Sequence, residues 1–261
     1  MKLCMRQHDG LLEPSKLVRL RYIRLEMVMM CAKCSRSVCS IISECNQLRK
    51  LELDDVELND GTLDLSALIN LTSLSLCKVS MLDECSSSLC SSISGCTSLK
   101  SFILWDATLN DGILDLNSMT HLTTLTLYNV IMSEECSRSL CLCISTGVFV
   151  HMKCLCLEYI RLHDGILDLK TLTSLTELTL HSLTISEECT KSLGNSIGVC
   201  TNLEILKLKN ISLHDTILDL KKFRNLSMAE FIYVTMSSKC RKILNESKNH
   251  CPKLRHFQFI P

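Results

Sequence analysis

The stretch "NDGTLDLSALINLTSLSL", residues 59–76, decides the fold because the chain repeats it twice more almost letter for letter. The copies read "NDGILDLNSMTHLTTLTL" at 110–127 and "HDGILDLKTLTSLTELTL" at 163–180. The aspartate that opens each copy recurs at spacings of 51, 51, 53 and 51 residues, as Asp9, Asp60, Asp111, Asp164 and Asp215. Self-similarity at a fixed period of tens of residues predicts a solenoid, in which each repeat packs only against its neighbours.

Each period contains the pattern LxxLxL twice. The first leucine-type position of the ten copies is filled by Leu20, Leu48, Leu71, Leu99, Leu122, Met152, Leu175, Leu203, Leu226 and Leu254. The gaps alternate between 28 and 23 residues, with one gap of 30 after Leu122. The two apolar residues of LxL lie two positions apart, so on an extended strand they face the same side. We therefore predict about ten coils, each with one short strand whose apolar side faces the core.

The longer coils carry a helical pattern that the shorter coils lack. Helices are predicted in "SEECSRSLCLCI" at 133–144 and "SEECTKSLGNSI" at 186–197. Ser133 and Ser186 are suitable N-cap residues, and the glutamates that follow them oppose the positive end of the helix dipole. The shorter coils have "DGTLDLSAL" at 60–68 instead, where Asp-Gly predicts a tight turn. This segment is too short for a full helix, so we expect it to be extended or 3₁₀.

These features together resemble leucine-rich repeats of the ribonuclease-inhibitor-like class, including segments such as "CTNLEILKL" (200–208) and "ECSRSLCLCI" (135–144). The resemblance implies an α/β solenoid with a curved, parallel concave sheet, and helices that alternate with short extended or 3₁₀ segments on the convex side. Such repeats form the C-terminal part of NLR innate immune receptors, the NACHT and leucine-rich-repeat proteins.

One departure from the family pattern concerns the position three residues after the second strand leucine, where the family often places asparagine. Here that position holds only aliphatic residues: Val56, Val79, Ala107, Val130, Ile160, Leu183, Ile211 and Val234. Aliphatic packing must therefore replace an asparagine hydrogen-bond ladder.

The chain is long enough to bury a continuous core, with 261 residues of which 46% are hydrophobic. Three prolines and no low-complexity linker predict a single domain over 1–261. "HDGLLEPSKL" at 8–17 aligns with 59–68 while its preceding strand is missing, and the chain ends directly after "LRHFQFI" (254–260). We therefore expect a domain truncated at both ends, whose uncapped ends promote self-association. The longest apolar runs fall short of ~18 residues, so no membrane span is expected.

The net charge of zero hides an asymmetry along the chain. Residues 201–261 carry 11 Lys and Arg against 5 Asp and Glu, and the remainder carries 17 against 23. A nucleic-acid-binding protein would show a broader basic face without compensating acids, so we expect no nucleic-acid partner.

The 18 cysteines fall largely on repeat positions rather than in a disulfide framework. Cys34, Cys85 and Cys136 are equivalent to one another and lie two coils apart, about 10 Å at the usual strand spacing. That exceeds the ~7 Å limit between Cα atoms of a disulfide, so we interpret the thiols as small buried hydrophobes in a cytoplasmic protein. Four N-glycosylation sequons favour the extracellular alternative: Asn70, Asn210, Asn225 and Asn245.

Three patterns suggest chemistry but are better explained by the repeat. His-Asp pairs at 8–9, 163–164 and 214–215 occupy a turn position that holds Asn in other copies, so they are turn residues rather than general bases. The recurring aspartates Asp64, Asp115, Asp168 and Asp219 are again spaced by about 10 Å, too far to share a metal ion. Cys31 and Cys34 form one CxxC motif without a second ligand pair. No GxxxxGK[ST] motif is present. We expect no catalytic residue, metal ion or cofactor.

Candidate binding residues follow from strand alternation. The third, fifth, seventh and eighth residues of LxxLxLxx face the concave surface, and these positions hold Tyr22, Trp105, Tyr128, Tyr159 and Tyr233, all four tyrosines and the only tryptophan. Tyr and Trp are enriched in recognition hot spots, although aromatic residues also favour strands in general. Because Trp105, Tyr128 and Tyr159 fall on consecutive strands, we predict one binding patch there, with Asp106, Asn129 and Glu158 as polar neighbours.

The sequence thus predicts a non-catalytic module that recognises a protein or peptide through its concave face, as part of an NLR-type immune receptor. The alternatives are a leucine-rich-repeat adaptor or inhibitor, similar to F-box substrate receptors or to ribonuclease inhibitor, and an enzyme.

Overall fold

The computed structural model describes the backbone of residues 2–5 and residues 19–109, 112–163 and 165–261 in full. The strands, numbered in chain order, are β1 Lys2–Met5, β2 Tyr22–Val28, β3 Lys50–Leu58, β4 Ser73–Met81, β5 Ser101–Trp105, β6 Thr108–Leu109, β7 Thr124–Tyr128, β8 Ile131–Met132, β9 Cys154–Glu158, β10 Glu177–His181, β11 Ile205–Lys209, β12 Ser212–His214, β13 Met228–Ile232, β14 Thr235–Met236 and β15 His256–Ile260. Eleven of them form one parallel sheet in the order β1-β2-β3-β4-β5-β7-β9-β10-β11-β13-β15. Each coil therefore adds one strand beside the last, which is the predicted leucine-rich-repeat solenoid.

The strands pair in one continuous register that aligns the two LxL positions. Leu104 of β5 lies opposite Leu76 on one side and Leu127 on the other, and Leu127 lies opposite Leu157. All four side chains are fully buried. The alternation of buried and partly exposed residues along each strand confirms that the leucines face the core and that the intervening residues face outward.

Within the described residues, five α-helices lie in the longer coils, at α1 Ala32–Glu44, α2 Asp83–Ser92, α3 Glu134–Ser145, α4 Glu187–Ile197 and α5 Ser238–Ser247. The predicted caps are confirmed, since Ser133 Oγ accepts from the Cys136 N–H and Ser186 Oγ accepts from the Cys189 N–H, both at 3.2 Å. In the described shorter coils the equivalent segment is irregular, with one 3₁₀ turn at Leu220–Lys222.

The turn segments of the shorter coils are held by their own aspartates. Asp64 Oδ1 accepts from the N–H of Ser66 at 2.9 Å, and Asp219 accepts in the same way from Lys221 at 3.1 Å. The same bond forms at Asp115 and Asp168. A carboxylate that bonds the backbone two residues on closes an Asx turn. The recurring aspartates therefore have a structural role.

The tight Asp-Gly turns predicted before these segments are present where they are described. Gly61 has a φ of +100°, and a Cβ added there would lie 3.0 Å from the Arg36 Cα of α1. Both the backbone conformation and the close approach of the helix require glycine. Asp9, Asp111 and Asp164 lie outside the described residues.

The aliphatic row that replaces asparagine is buried as expected. Val56, at 0% exposure, and Leu183, at 8%, are its most and least buried members. Short strands follow this row where β6 pairs with β8 and β12 with β14. Aliphatic contacts and backbone pairing thus take the place of a side-chain ladder.

One expectation about the N-terminal region was wrong. The strand expected to be missing ahead of residues 8–17 is present as β1, and Lys2 lies opposite Tyr22 and Met5 opposite Leu25. The sheet therefore has eleven strands rather than the ten expected from the leucine count. The pattern failed because "KLCM" has a single leucine and no LxxLxL motif.

In the last strand, Phe257 and Phe259 pack against the core but stay partly exposed, whereas Phe102 and Phe231 are fully buried.

Candidate aromatic binding surface

The seventh position of each coil forms a continuous row across the outward face of the sheet. Strand pairing places Cys77 beside Trp105, Trp105 beside Tyr128, Tyr128 beside Glu158, and Glu158 beside His181. Neighbouring strands lie about 4.8 Å apart, so side chains in this row contact one another directly.

Three of the five candidate aromatic residues meet along these seventh positions, together with a histidine. Trp105, Tyr128 and His181 occupy seventh positions, and Tyr159 joins them from the adjacent eighth position of its coil. The ring centroids of Trp105 and Tyr128 are 4.4 Å apart, those of Tyr128 and Tyr159 are 5.3 Å apart, and those of Tyr159 and His181 are 4.5 Å apart. These separations are close to or within the range of favourable aromatic pairs. We call Trp105, Tyr128, Tyr159 and His181 the aromatic row. Trp105 is 42% exposed and Tyr159 is 44% exposed, so the row presents ring surface to solvent.

His181 was missed by the sequence analysis, which considered only Tyr and Trp at outward positions. The signal was available, because His181 is the seventh residue of its coil, as Trp105 and Tyr128 are of theirs. A search for any planar ring at that position would have found it.

The two remaining candidates lie away from the aromatic row. Tyr22 on β2 donates a hydrogen bond to Glu52, and the Lys50 ammonium lies 5.4 Å from its ring centroid. Tyr233, directly after β13, is 61% exposed. In the sheet order, β2 lies three strands from the start of the row on β5, and β13 lies two strands from its end on β10. These separations are roughly 14 Å and 10 Å, so neither tyrosine is in contact with the row.

The eighth position of each described coil from β2 to β13 has a backbone conformation that the sequence did not reveal. Its residues have φ between 47° and 56° without being glycine: Met27, Asp55, Lys78, Asp106, Asn129, Tyr159, Ser182, Asn210 and Tyr233. Left-handed backbone is unfavourable for most side chains and least so for Asn and Asp. Strands β2, β3 and β4 continue through this position, whereas the later strands of the main sheet end at the residue before it. At Tyr159 the ring lies beside those of Tyr128 and His181.

Backbone pairing continues through this left-handed position and holds it in place. The N–H of Asn129 donates to the Glu158 carbonyl, and the N–H of Tyr159 donates to the His181 carbonyl, both at 2.8 Å. The N–H of Asp106 donates to the Tyr128 carbonyl at 2.9 Å. The rings are therefore carried on an ordered sheet rather than on free loops.

Polar side chains on adjacent strands pair around the aromatic row. Asn129 Nδ2 donates to Asp106 Oδ1 at 2.6 Å. Glu158 Oε2 lies 3.2 Å from His181 Nδ1, and the Tyr159 hydroxyl lies 3.4 Å from His181 Nε2. These bonds restrict the rotamers of the groups that border the rings. Two carboxylates, Asp106 and Glu158, thus lie within the patch.

The electrostatic character of the patch is reflected in the phenol at its centre. The pKa of Tyr128 is raised above its ordinary value, first by loss of hydration among its neighbours and then by Tyr159, Glu158 and Asp106. Both carboxylates disfavour a further negative charge. The surface therefore combines ring faces with two carboxylates.

Cys156, Glu158 and His181 resemble a catalytic triad in composition, but their geometry differs from one. The Cys156 thiol donates to Glu158 Oε1 at 3.2 Å, and the histidine contacts the other carboxylate oxygen. The pKa of Cys156 is raised to about 12, first by burial and then by Glu158. A thiol with that pKa is protonated at neutral pH and is a poor nucleophile. The arrangement favours a structural role for the thiol.

The described part of the chain contains neither a cluster of three side chains that could hold a metal ion nor a helix that could cross a membrane. Within residues 19–109, 112–163 and 165–261, no three His, Cys, Asp or Glu side chains are arranged to hold a metal ion. Over the same residues, no helix combines the length and apolar character needed to cross a bilayer.

Comparison with known proteins bears on the fold. No protein-family model matches the chain, and no curated protein sequence matches it either. Among solved structures, an internalin, InlF, of Listeria monocytogenes is similar over 94% of this chain and 76% of its own length, with a TM-score of 0.54 and 16% sequence identity. Internalin C2 of the same organism is similar over 75% of this chain and 74% of its own, with a TM-score of 0.45 and 21% identity. At such identities the likeness to InlF supports the leucine-rich-repeat fold alone.

Proposed function

We propose that this chain is a non-catalytic recognition module that binds a protein or peptide segment through the concave face of its sheet, centred on the aromatic row. The observation that carries the proposal is the chain of tilted and edge-on ring contacts that joins Trp105, Tyr128, Tyr159 and His181 across four adjacent coils. Aromatic rings held rigidly at a surface supply contact area at low entropic cost, and they are enriched among hot spots of binding energy.

The chemistry of the patch favours a partner segment with a basic side chain. Ring faces attract cations, and Asp106 and Glu158 add formal negative charge beside them. A lysine or arginine laid along the rings would contact both features at once. An acidic side chain would meet the carboxylates that already disfavour ionisation of Tyr128.

The first test selects peptide ligands from a random library, so it does not require an identified partner. Displayed 12-residue peptides are panned against the 261-residue chain, and the recovered peptides are titrated against the protein. Trp105 is the only tryptophan, so a change in its fluorescence reports contact at the aromatic row. We expect recovered peptides to be enriched in Arg and Lys and to change this fluorescence.

Two variants separate the aromatic row from the rest of the surface. Tyr128→Ala removes the central ring, whereas Lys191→Ala removes an exposed charge on α4 that pairs with Glu187 at 2.8 Å. Recovered peptides should lose affinity for Tyr128→Ala and keep it for Lys191→Ala. Peptides that bind both variants as they bind the parent chain, without a fluorescence change, would overturn the proposed site.

At the level of the whole protein, we propose that the module belongs to a cytoplasmic NLR-type immune receptor. The alternation of helical and non-helical coils, which is typical of ribonuclease-inhibitor-like repeats, supports this assignment. So does the burial of most described cysteines, which fits a reducing compartment. The full-length transcript tests it directly: a NACHT sequence in the same reading frame is expected, whereas an adjoining F-box sequence would favour the adaptor alternative.

A further inference from the structure

Two cysteines at the start of α1 lie in direct contact. The Cys31 thiol donates to the sulfur of Cys34, and the two sulfur atoms are 3.4 Å apart. Cys31 is exposed and Cys34 is partly exposed. Cys31 is the N-cap residue of α1, in extended conformation, and Cys34 lies in the first helical turn. Cys31 is therefore accessible from solvent and lies next to Cys34, which packs partly against the core.

The corresponding position in the other four helices holds no cysteine. The N-cap residues of α2, α3, α4 and α5 are Leu82, Ser133, Ser186 and Ser237. In the last three, the serine hydroxyl accepts the N–H of the third helical residue, which is a cysteine each time. Cys31 makes no such side-chain cap bond. In α1 the capping bond is therefore replaced by a contact between two thiols.

The start of α5 has the same arrangement with oxygen in place of one sulfur. Ser237 Oγ donates to Cys240 Sγ at 3.2 Å, close to the distance between Cys31 and Cys34. A hydroxyl cannot form a disulfide. The starts of α1 and α5 thus have similar side-chain contacts, but of these two only the start of α1 has two sulfurs that can form a disulfide.

We propose that Cys31 and Cys34 form a reversible dithiol–disulfide site that reacts with low-molecular-weight disulfides such as oxidised glutathione. The sulfurs must approach from 3.4 Å to about 2.05 Å, and rotation of the exposed Cys31 side chain supplies this movement. The site is separate from the aromatic row, and its test does not depend on the proposed function.

The reaction proceeds in two exchange steps. The Cys31 thiolate attacks one sulfur of oxidised glutathione, forms a mixed disulfide and releases one glutathione thiolate. The Cys34 thiolate then attacks the Cys31 sulfur, closes the intramolecular disulfide and releases the second glutathione. The two cysteines lose two electrons and two protons, and the glutathione disulfide gains them. The start of a helix favours such chemistry because backbone N–H groups stabilise a thiolate, which is the attacking form.

Other adjacent thiols in the described chain are protected by burial. Cys39 and Cys85 interact across neighbouring helical coils and are at most 1% exposed. The hydrogen bond to Cys85 and then burial raise the pKa of Cys39. Exchange requires that the disulfide reach the sulfur, so this buried pair should not react while the chain is folded. Formation of an intramolecular disulfide in the folded protein should therefore be confined, among the described cysteines, to the start of α1.

Peptide mapping tests the proposal directly. The folded, reduced protein is incubated with oxidised glutathione, quenched in acid, denatured, alkylated and digested with trypsin. Lys33 lies between the two cysteines, so the disulfide would join two separate tryptic peptides, 25–33 and 34–36. We expect this linked pair to appear with the loss of two thiol equivalents and to separate on reduction. Alkylation of both cysteines after oxidation, or glutathione retained on each, would overturn the proposal.

Two controls distinguish a dithiol site from general thiol reactivity. Cys31→Ser places the residue found at the start of α5, so it should fold, cap the helix and lose the linked peptide together with the two-equivalent change. Loss of two thiol equivalents in the Cys31→Ser variant would contradict the assignment of the dithiol site to Cys31 and Cys34. Cys240 in the parent chain should remain fully alkylated after denaturation, and loss of its signal at the same rate as that of Cys34 would also overturn the proposal.

Discussion

The two faces of the same strands differ in how closely the side chains of one coil repeat those of the next. On the inner face, Leu104 and Leu127 are chemically identical and fully buried, and the same residue type recurs through most of the sheet. On the outer face, their neighbours Trp105 and Tyr128 belong to a run of rings that the flanking coils lack. The repeated face encodes the fold, and departure from repetition marks the candidate site. Substitutions on the two faces should therefore have opposite profiles of stability and binding.

The largest expected effect on stability lies on the inner face. Leu127→Ala removes a side chain that is 0% exposed and leaves a cavity in the core, which should lower the free energy of unfolding by about 2–5 kcal/mol. The urea midpoint measured by circular dichroism checks this, with Tyr128→Ala as the outer-face control. A larger midpoint shift for Tyr128→Ala than for Leu127→Ala would contradict the claim that the inner face contributes more to stability than the outer face.

A smaller effect is expected where coils differ in helix capping. Ser133→Ala removes the cap bond to the Cys136 N–H and should cost about 1 kcal/mol. The N-cap of α2 is Leu82, which makes no side-chain cap bond and is 56% exposed. Leu82→Ser should therefore stabilise the chain by a similar amount. Thermal melts of both variants should shift in opposite directions, and equal shifts of one sign would refute the account of capping.

Substitutions at the left-handed eighth position can separate the cost of backbone strain from the stabilisation by ring contacts. Tyr233→Asn places a tolerant residue where φ is 53°, as Asn129 and Asn210 already are in other coils. It should stabilise the chain by about 1 kcal/mol, which raises the melting temperature by roughly 2–4 °C. Tyr159→Asn relieves the same strain but loses ring contacts with Tyr128 and His181, so its gain should be smaller. Equal gains would show that the Tyr159 ring contacts contribute nothing to stability.

Differences in burial predict that the thiols of the folded protein react with a thiol reagent at different rates. Denatured but unreduced protein from a reducing host should react with close to 18 equivalents of a thiol reagent, because the repeat separates equivalent cysteines. In the folded state Cys141 and Cys200 should be slow, since burial raises the pKa of each to about 12. Their reactivity should rise only as the pH approaches that value or as the chain unfolds. Bonds between neighbouring coils, mapped by mass spectrometry in protein from a reducing host, would contradict the interpretation of buried thiols.

The sheet and the helix caps could be predicted because each depends on residues close together in sequence. Alternation of leucines defines the strand face, and Ser133 acts on an N–H three residues away. The meeting of Trp105, Tyr128 and Tyr159 was also predictable, because the repeat length sets which residues are neighbours. β1 was missed because its sequence lacks the motif. The left-handed eighth position was missed because the Asn and Asp residues that tolerate it share the position with residues such as Met27 and Lys78, which carry no signal for that conformation.

The most direct test of the central claim compares affinity with stability for the outer face. Peptides selected against the parent chain are titrated against Trp105→Ala, Tyr128→Ala and Lys191→Ala, and each variant is also melted. Removing either ring should weaken binding by about 2 kcal/mol, roughly 30-fold, with only a small change in melting temperature, and Lys191→Ala should bind as the parent does. Equal affinity in all three folded variants would show that the outward rings are strand residues only and that the concave surface is not the binding site.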